Sequence, residues 1–251
     1  MLVSDGNRPG PFRMMTKQRR YKRTTNYARR RRRVRRNRRI LLAAVIGAAV
    51  LILVPVLCRN LNGTGGGETA GVLAGEEDGR PPLDVQLLTP NEYSRPQIPL
   101  ENIRGIVIHY TANPGSSAQA NRNYFEGLQD GAEEIYASSH FIIGLEGEII
   151  QCIPSTEISY ASNDRNEDTL SIECCHPDEE GRFTDETYQS LVELTAWLCH
   201  HFEVPVQNVI RHYDVTGKEC PKYFVDHEDA WEQFKTDVEK QLEQLETSGE
   251  E

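Results

Sequence analysis

The chain has 251 residues and a net charge of −10, which is enough length for one domain of about 150 residues plus additional segments. The net charge hides two opposite parts: residues 1–39 hold 16 Lys or Arg and one acid, a net +15, and the remainder holds 12 basic and 37 acidic residues, a net −25. This asymmetry excludes a single uniform domain and indicates a compositional boundary near residue 40.

The basic arm, residues 1–39, reaches its highest charge density in RRRRRVRRNRR, Arg29–Arg39. Like charges at this density repel one another, and few apolar residues are present to bury, so we expect the arm to be disordered.

Directly after the basic arm, Ile40–Cys58 is a run of 19 residues without a charge, close to the roughly 20 that span a bilayer. Basic residues on one flank predict a transmembrane signal anchor with a cytoplasmic N-terminus and the arm against anionic lipid headgroups. Nucleic-acid binding by the arm is the disfavoured alternative.

A cleaved signal peptide is the main alternative for Ile40–Cys58. The apolar run is longer than the usual length of about 7–15 residues, no A-x-A site follows closely, and Leu57 is a poor residue before a lipoprotein cysteine. Residues 59–82 are rich in Gly, Thr, Glu and Pro, which predicts a flexible linker. We therefore expect a globular domain at 83–246 and an acidic tail at 247–251, both on the extracytoplasmic side of a single-pass cell-membrane protein.

Strand and helix patterns alternate in the globular part, which predicts an α/β domain with a central mixed sheet flanked by helices. The apolar run RGIVIHY, Arg104–Tyr110, predicts a buried strand that ends at His109, and TANPGSS after it predicts a loop. A helix is expected over SAQANRNYFEGL. The segment HFIIGLEGEIIQCI, His140–Ile153, has two β-rich runs around glycines, the pattern of a hairpin. Another strand is expected over TLSIECC, Thr169–Cys175.

The clearest helix is TDETYQSLVELTAWLCHHF, which has Thr184 as its N-cap and leucines at helical spacing. After it, NVIRHYD predicts a short strand that runs into a loop at RHYDVTGKECPKYF, Arg211–Phe224. The last helix, DAWEQFKTDVEKQLEQL, places Trp231, Phe234 and Val238 on one face and acidic residues on its exposed side.

Cys220, in the loop predicted after the last strand, has three interpretations: half of a disulfide, a buried thiol, or a metal ligand. His109 and His212 each end an apolar, strand-like run. Two His and one Cys suit Zn²⁺, and three protein ligands leave a fourth position for water, as in catalytic sites. Because these residues do not form a compact motif, their spacing alone leaves structural roles open.

Glu173 lies among apolar residues in SIECC. Burying a carboxylate is costly unless it is paired or used, which makes Glu173 a candidate for chemistry. The alternative is a solvent-facing position on an edge strand. The other cysteines of the globular part show no disulfide pattern: Cys152, Cys174, Cys175 and Cys199.

Four segments in order closely resemble the type-2 N-acetylmuramoyl-L-alanine amidases: GIVIHYTANPG, SSHFIIGLEGEIIQCIP, SIECCHPDEEGRFTDETYQSLVELTAWLC and VIRHYDVTGKECP. That family shares its fold with peptidoglycan-recognition proteins and phage amidase endolysins, and the resemblance covers about residues 83–240. It implies a zinc ion at the bottom of a substrate groove, with His109, His212 and Cys220 as ligands. Members of this fold that lack amidase activity typically lose the Cys, so Cys220 favours an enzyme.

The resemblance also implies roles for other residues. Glu173 stands where many bacterial members carry a catalytic Glu. A Lys beside the expected metal ion is better explained by the substrate than by chance, so Lys218 is expected to stabilise negative charge that develops there. Thr111, Asn113 and Tyr160 are expected substrate contacts. The implied substrate is bacterial peptidoglycan, cleaved at the lactyl amide between N-acetylmuramic acid and L-Ala.

Two positions depart from the family pattern. Ala161 stands where many relatives have a His, and Ser139 precedes His140 where some phage members use a Tyr. These departures leave the zinc ligands untouched, and a non-catalytic peptidoglycan-binding or sensing module is the alternative function. A tethered structural protein whose zinc only stabilises the fold is the third, and the sequence gives no oligomeric state.

Overall fold

The computed structural model describes residues 79–132 and 134–248. The basic arm, Ile40–Cys58 and the linker up to residue 78 lie outside the described residues, so what the sequence predicts there stays a prediction. Across the two described ranges, no helix has both the length and the apolar character needed to cross a membrane.

The centre of the fold is a mixed sheet with six strands in the described part of the chain. They are, as β1 to β6, Asp84–Val85, Gly105–Tyr110, Phe141–Ile143, Ile149–Gln151, Thr169–Cys174 and Val209–Arg211. Their order in space is β1-β4-β3-β5-β2-β6. The pair β3 and β4 is antiparallel, as the hairpin prediction requires, and the other neighbours are parallel. The predicted α/β class with a mixed sheet is confirmed.

The middle of the sheet is formed by β2 and β5. In β2, Ile106, Val107 and Ile108 are fully buried, as expected for a parallel strand covered on both faces. The strand continues one residue beyond its predicted end at His109. Because β5 lies between β3 and β2, Glu173 is on an interior strand, and the edge-strand alternative is wrong.

Five α-helices flank the sheet in the described ranges. They are, as α1 to α5, Ala118–Gly127, Asp185–His201, His212–Thr216, Lys222–Asp226 and Glu228–Ser248. The first of these begins after Ser117, whose hydroxyl accepts the N–H of Ala120 at 3.2 Å. Phe125 of this helix shares an apolar cluster with Ile142 and Ile150, so α1 covers the β3–β4 side of one sheet face.

The helix α2 has the N-cap that the sequence predicts. The Thr184 hydroxyl accepts the N–H of Thr187 at 3.1 Å. The predicted apolar stripe is buried at Leu191, Leu194 and Leu198.

The long helix α5 packs against α2, and the Tyr188 hydroxyl donates to Asp237 Oδ2 at 2.9 Å between them. Its predicted apolar face is buried at Trp231, Phe234 and Val238. The helix runs through Ser248, beyond the domain boundary expected at residue 246.

After β6 the chain forms the short helix α3, where the sequence analysis predicted a loop. The Asp214 carboxylate accepts two hydrogen bonds from Arg211, one from the backbone N–H at 2.8 Å and one from the guanidinium at 3.0 Å. These bonds stabilise the first turn of the helix. Gly217, with φ of 75°, ends the helix. The Arg211 guanidinium also donates to the Phe224 carbonyl at 2.9 Å, which ties α3 to α4. His212 is therefore the first residue of a helix rather than part of a loop.

Candidate metal centre

His109 lies near the carboxyl end of β2, and its side chain is buried. Its Nδ1 is 3.8 Å from Cys220 Sγ, and its Nε2 is 3.1 Å from Ser162 Oγ. The two ring nitrogens therefore have different surroundings, with Nδ1 turned toward the other candidate ligands.

His212 follows β6, the parallel neighbour of β2, so both histidines come from strand ends at the same edge of the sheet. The two imidazole rings meet edge to face, with their centroids 4.7 Å apart. His212 Nε2 is 2.9 Å from Asn163 Nδ2, whereas its Nδ1 is buried without a hydrogen-bond partner. An orphaned buried nitrogen is costly in a folded protein unless a ligand completes it.

Cys220 is buried and is held by backbone contacts on two sides. Its sulfur accepts the backbone N–H of Tyr110, and its carbonyl accepts the backbone N–H of Tyr213 at 2.9 Å. It is a free thiol, as are the other cysteines in the described ranges, so the disulfide interpretation is wrong.

The residues His109, His212 and Cys220 could hold a metal ion, because one ligand atom from each lies within 4.8 Å of the others. Burial lowers the pKa of His109 well below its usual value and that of His212 to about 4, with further lowering from neighbouring positive charge. Both imidazoles are therefore neutral near pH 7, as metal ligation requires. Two imidazole nitrogens and one sulfur fit Zn²⁺ and leave a fourth position open.

The Cys220 thiol carries its proton in the absence of a metal. Burial and the nearby Glu173 carboxylate raise the pKa of this thiol to about 12. A divalent cation among the three ligand atoms would displace that proton, because thiolates bind zinc.

Glu173 is in register with His109 across β5 and β2, so both side chains leave the same face of the sheet. Its Oε2 is buried without a hydrogen-bond partner. Burial raises the pKa of this carboxyl from 4.5 to about 8, and the positive charge of Lys218 partly opposes the increase. A carboxyl with a pKa near neutrality is suited to taking up and releasing a proton.

Lys218 lies in the exposed turn between α3 and Cys220. Its charge lowers the pKa of His109, His212 and Glu173, so the ammonium group is close enough to act on the whole centre. A cation at this position can stabilise negative charge that develops beside the ligand cluster.

The three expected substrate contacts lie in different surroundings. Thr111 directly follows β2, and its Oγ1 is buried without a hydrogen-bond partner. Asn113 is exposed in the loop after β2, where its carbonyl accepts the Ser116 N–H at 3.2 Å. Tyr160 is half-buried, and its ring packs edge to face on Tyr136 with centroids 5.5 Å apart.

The structure shows the surroundings of Ala161 and Ser139, the two residues that depart from the family pattern. Ala161 is half-buried, and its backbone N–H donates to Asn166 Oδ1 at 3.1 Å, so this wall offers a methyl group where many relatives have an imidazole. The Ser139 hydroxyl is buried and donates to the Ser171 carbonyl at 3.0 Å. Ser139 therefore supports the sheet and supplies no phenol to the centre.

Ser162 and Asn163 contact the two histidines, and no sequence pattern predicted either contact. They belong to SND, which directly follows Ala161. Such a polar run occurs in many turns, so it gives only a weak signal without the structure.

Residues 99–223 match the family model described as N-acetylmuramoyl-L-alanine amidase (Amidase_2). Similar proteins include N-acetylmuramoyl-L-alanine amidase CwlL of Bacillus licheniformis, 33% identical over 164 residues, and BlyA of Bacillus subtilis (strain 168), 30% identical over 173 residues. Each comparison covers 61% of this chain and 45% of the relative, so the chain spans about half the length of the curated relatives it matches.

Solved structures show the same fold. A mutant endolysin from Bacillus subtilis has a TM-score of 0.52 and 23% identity, over 62% of this chain and 98% of that chain. The PlyG catalytic domain has a TM-score of 0.53 and 22% identity, over 64% of this chain and 95% of that chain. The central sheet with flanking helices is therefore shared with these endolysin and catalytic domains.

Proposed function

Because this chain belongs to the type-2 N-acetylmuramoyl-L-alanine amidase family, we propose that it hydrolyses the lactyl amide between N-acetylmuramic acid and L-Ala in bacterial peptidoglycan. The observation that carries this proposal is the convergence of His109, His212 and Cys220 to within 4.8 Å inside the matched segment. An intact ligand set beside a buried carboxyl is what a metal-assisted amide hydrolase needs.

The cofactor in this proposal is Zn²⁺. Bound by His109, His212 and Cys220, it would polarise the scissile carbonyl and lower the pKa of water in the site. The donor set, the neutral imidazoles and the unpartnered Nδ1 of His212 support this assignment.

Glu173 is the proposed general base and acid. Its carboxylate takes a proton from the attacking water and then delivers it to the leaving amine of L-Ala. Its position beside His109 places it close to the ligand cluster. Nearby positive charge, from Lys218 and from a bound cation, favours the ionised carboxylate that the first of these steps requires.

Lys218 and the loops around the centre act on the substrate in this proposal. The ammonium group of Lys218 stabilises the oxyanion that develops as the amide carbonyl is attacked. Thr111, Asn113 and Tyr160 would contact the bound muropeptide, with the Tyr160 ring as an apolar wall. Because Ala161 has no polar side chain, this wall recognises substrate with fewer hydrogen bonds than in relatives that carry His.

A non-catalytic peptidoglycan-binding or sensing module is the second candidate. Ala161 is the observation that favours it, because the wall beside Tyr160 lacks the imidazole of many relatives. The retained Cys220 and Glu173 favour the enzyme.

We also propose that the domain is anchored in the cell membrane by Ile40–Cys58, with the basic arm in the cytoplasm. The uncharged run and the positive charge on its N-terminal flank support this topology. Peptidoglycan would then be reached on the outer side of the membrane, at a distance set by the linker.

Product analysis tests the proposed reaction. Full-length protein in detergent is incubated with purified peptidoglycan fragments, with and without a zinc chelator, and the digests are analysed by mass spectrometry. We expect free stem peptides that begin with L-Ala, and we expect the chelator to abolish them. Protein that holds zinc and binds the fragments but releases no such peptides supports the binding module instead.

A further inference from the structure

One short segment contacts the outward-facing nitrogens of both candidate metal-binding histidines. Ser162 Oγ is 3.1 Å from His109 Nε2, and Asn163 Nδ2 is 2.9 Å from His212 Nε2. On both rings the opposite nitrogen, Nδ1, faces the cluster or has no partner. Two adjacent residues therefore reach the two rings from outside the centre.

The chemistry of imidazole gives these contacts a function. A neutral imidazole that binds a metal through Nδ1 carries its proton on Nε2, and the partner of Nε2 then fixes the tautomer and the ring orientation. The Ser162 hydroxyl oxygen can accept such a hydrogen bond. Asn163 Nδ2 and Oδ1 are nearly indistinguishable in shape, and a 180° rotation of the amide group exchanges them. With Oδ1 in the position next to His212 Nε2, the Asn163 side chain accepts this hydrogen bond.

The segment itself is held in place by a buried residue. Asn166 Oδ1 accepts the backbone N–H of Ala161 at 3.1 Å and of Ser162 at 2.6 Å. Ser162 is buried, and the turn that follows is a short 3₁₀ helix, Asn163–Arg165. The two side chains therefore project from a fixed backbone, which a partner that orients a metal ligand requires.

We propose that Ser162 and Asn163 are positioning residues of the metal centre, which hold His109 and His212 with Nδ1 toward the ion. This inference rests on the zinc site of the proposed function. It predicts that loss of either outer contact weakens metal binding even though neither residue is a ligand. Outer partners of metal-bound histidines typically change affinity by about 10–100-fold.

The backbone of Asn163 allows a clean substitution. Its φ is 51°, in the left-handed region that glycine adopts without strain. Asn163→Gly therefore removes the amide while it keeps the turn, and Asn163→Asp restores an oxygen acceptor. Ser162→Ala removes the other contact. Ser138→Ala is the matched control, because the buried Ser138 hydroxyl accepts a backbone N–H from Tyr160 at 3.0 Å rather than contacting a ring.

The experiment measures Zn²⁺ affinity of the full-length protein and its variants by competition with a chromophoric chelator. It also records the visible spectrum of the Co²⁺ forms and the thermal unfolding of the metal-free forms. We expect affinity to fall about 10–100-fold in Asn163→Gly and Ser162→Ala, and to be unchanged in Ser138→Ala. In Asn163→Asp we expect wild-type affinity or tighter, with the wild-type Co²⁺ spectrum.

The outcomes separate this inference from the proposed function. If wild-type protein binds zinc and both Asn163→Gly and Ser162→Ala bind it with the same affinity, the inference is overturned. The amidase proposal is then unaffected. A loss of affinity that Ser138→Ala shares, or that Asn163→Asp does not restore, indicates general loosening of the wall and also overturns it. Wild-type protein without zinc affinity overturns the metal centre itself.

Discussion

Glu173 lies directly beside His109 across the parallel strands β5 and β2, at the same register position and on the same face of the sheet. The pairing has a consequence for chemistry, because a buried carboxyl is fixed next to a candidate metal ligand. Its unpartnered Oε2 has no structural contact that explains its burial. Residues that break the rules of burial in this way are expected at functional sites.

The first prediction concerns Glu173→Gln, which keeps the shape of the side chain and removes its basicity. We expect turnover to fall by about 10²–10⁴-fold, the usual contribution of general acid–base catalysis, with zinc content unchanged. Release of L-Ala stem peptides and metal analysis on the same preparation check both parts. Full activity in the variant contradicts the proposed mechanism while it leaves the fold assignment intact.

The second prediction concerns Lys218, whose charge acts on the centre from an exposed turn. Lys218→Ala should lower turnover by about 10²–10³-fold, the scale of one lost oxyanion donor. Lys218→Arg keeps the positive charge and should recover part of the loss. Equal activity of Lys218→Ala and wild-type protein on muropeptides argues against a role for this residue in catalysis.

The third prediction concerns the metal ligands. Cys220→Ala should release much of the bound zinc, because it removes the only sulfur ligand of the proposed site. Cys199→Ala is the matched control: its thiol is also buried but lies in α2, so zinc should stay at about one ion per chain. Elemental analysis of chelator-free protein decides between these outcomes, and folded wild-type protein without zinc contradicts the assignment.

The sequence predicted those parts of the fold that local patterns determine. The helices α2 and α5 have apolar residues at helical spacing, and the strand β2 and the β3–β4 hairpin are short, β-rich apolar runs bounded by glycine. The short helix α3 was missed because five residues carry little periodic signal. Its first turn is stabilised by the hydrogen bonds from Arg211 to the Asp214 carboxylate.

The site was predictable only in part for the same reason. His109, His212 and Cys220 can each be recognised as a possible metal ligand. Their spacing in the sequence does not predict that they lie close together in space, and only the family resemblance indicated this. The register of Glu173 with His109 and the reach of Asn163 to His212 are long-range relationships. They follow from the order of strands in the sheet, which no local pattern encodes.

The fourth prediction concerns the segment before the domain. If Ile40–Cys58 spans the membrane with the basic arm inside, protease added to intact cells should remove the globular domain and leave the arm protected. Permeabilised cells, in which the arm should also be digested, provide the control. An arm degraded from outside, or a mature chain that begins after Cys58, contradicts the anchor.

The last prediction concerns pH and His140, which lies in the core rather than at the metal centre. The Ser171 backbone N–H donates to its Nδ1 at 3.1 Å, so its Nε2 carries the proton and donates to the Glu157 carbonyl at 2.8 Å. This arrangement leaves no place for a second proton. Burial lowers the pKa of His140 to about 4, although the bond to Glu157 partly opposes the decrease.

Because the pKa of His140 is lower in the folded state than in the unfolded state, its contribution to stability is complete above about pH 6.5 and is lost as the pH falls toward 4. We compare metal-free wild-type protein with His140→Gln, which keeps an N–H near the Glu157 carbonyl and cannot titrate. Wild-type protein should be the more stable at pH 7.5, and its advantage should shrink by roughly 2 kcal/mol by pH 5. Denaturant unfolding followed by the fluorescence of Trp197 and Trp231 measures the difference. Parallel stability curves over this range contradict the prediction, because the two proteins differ only at residue 140.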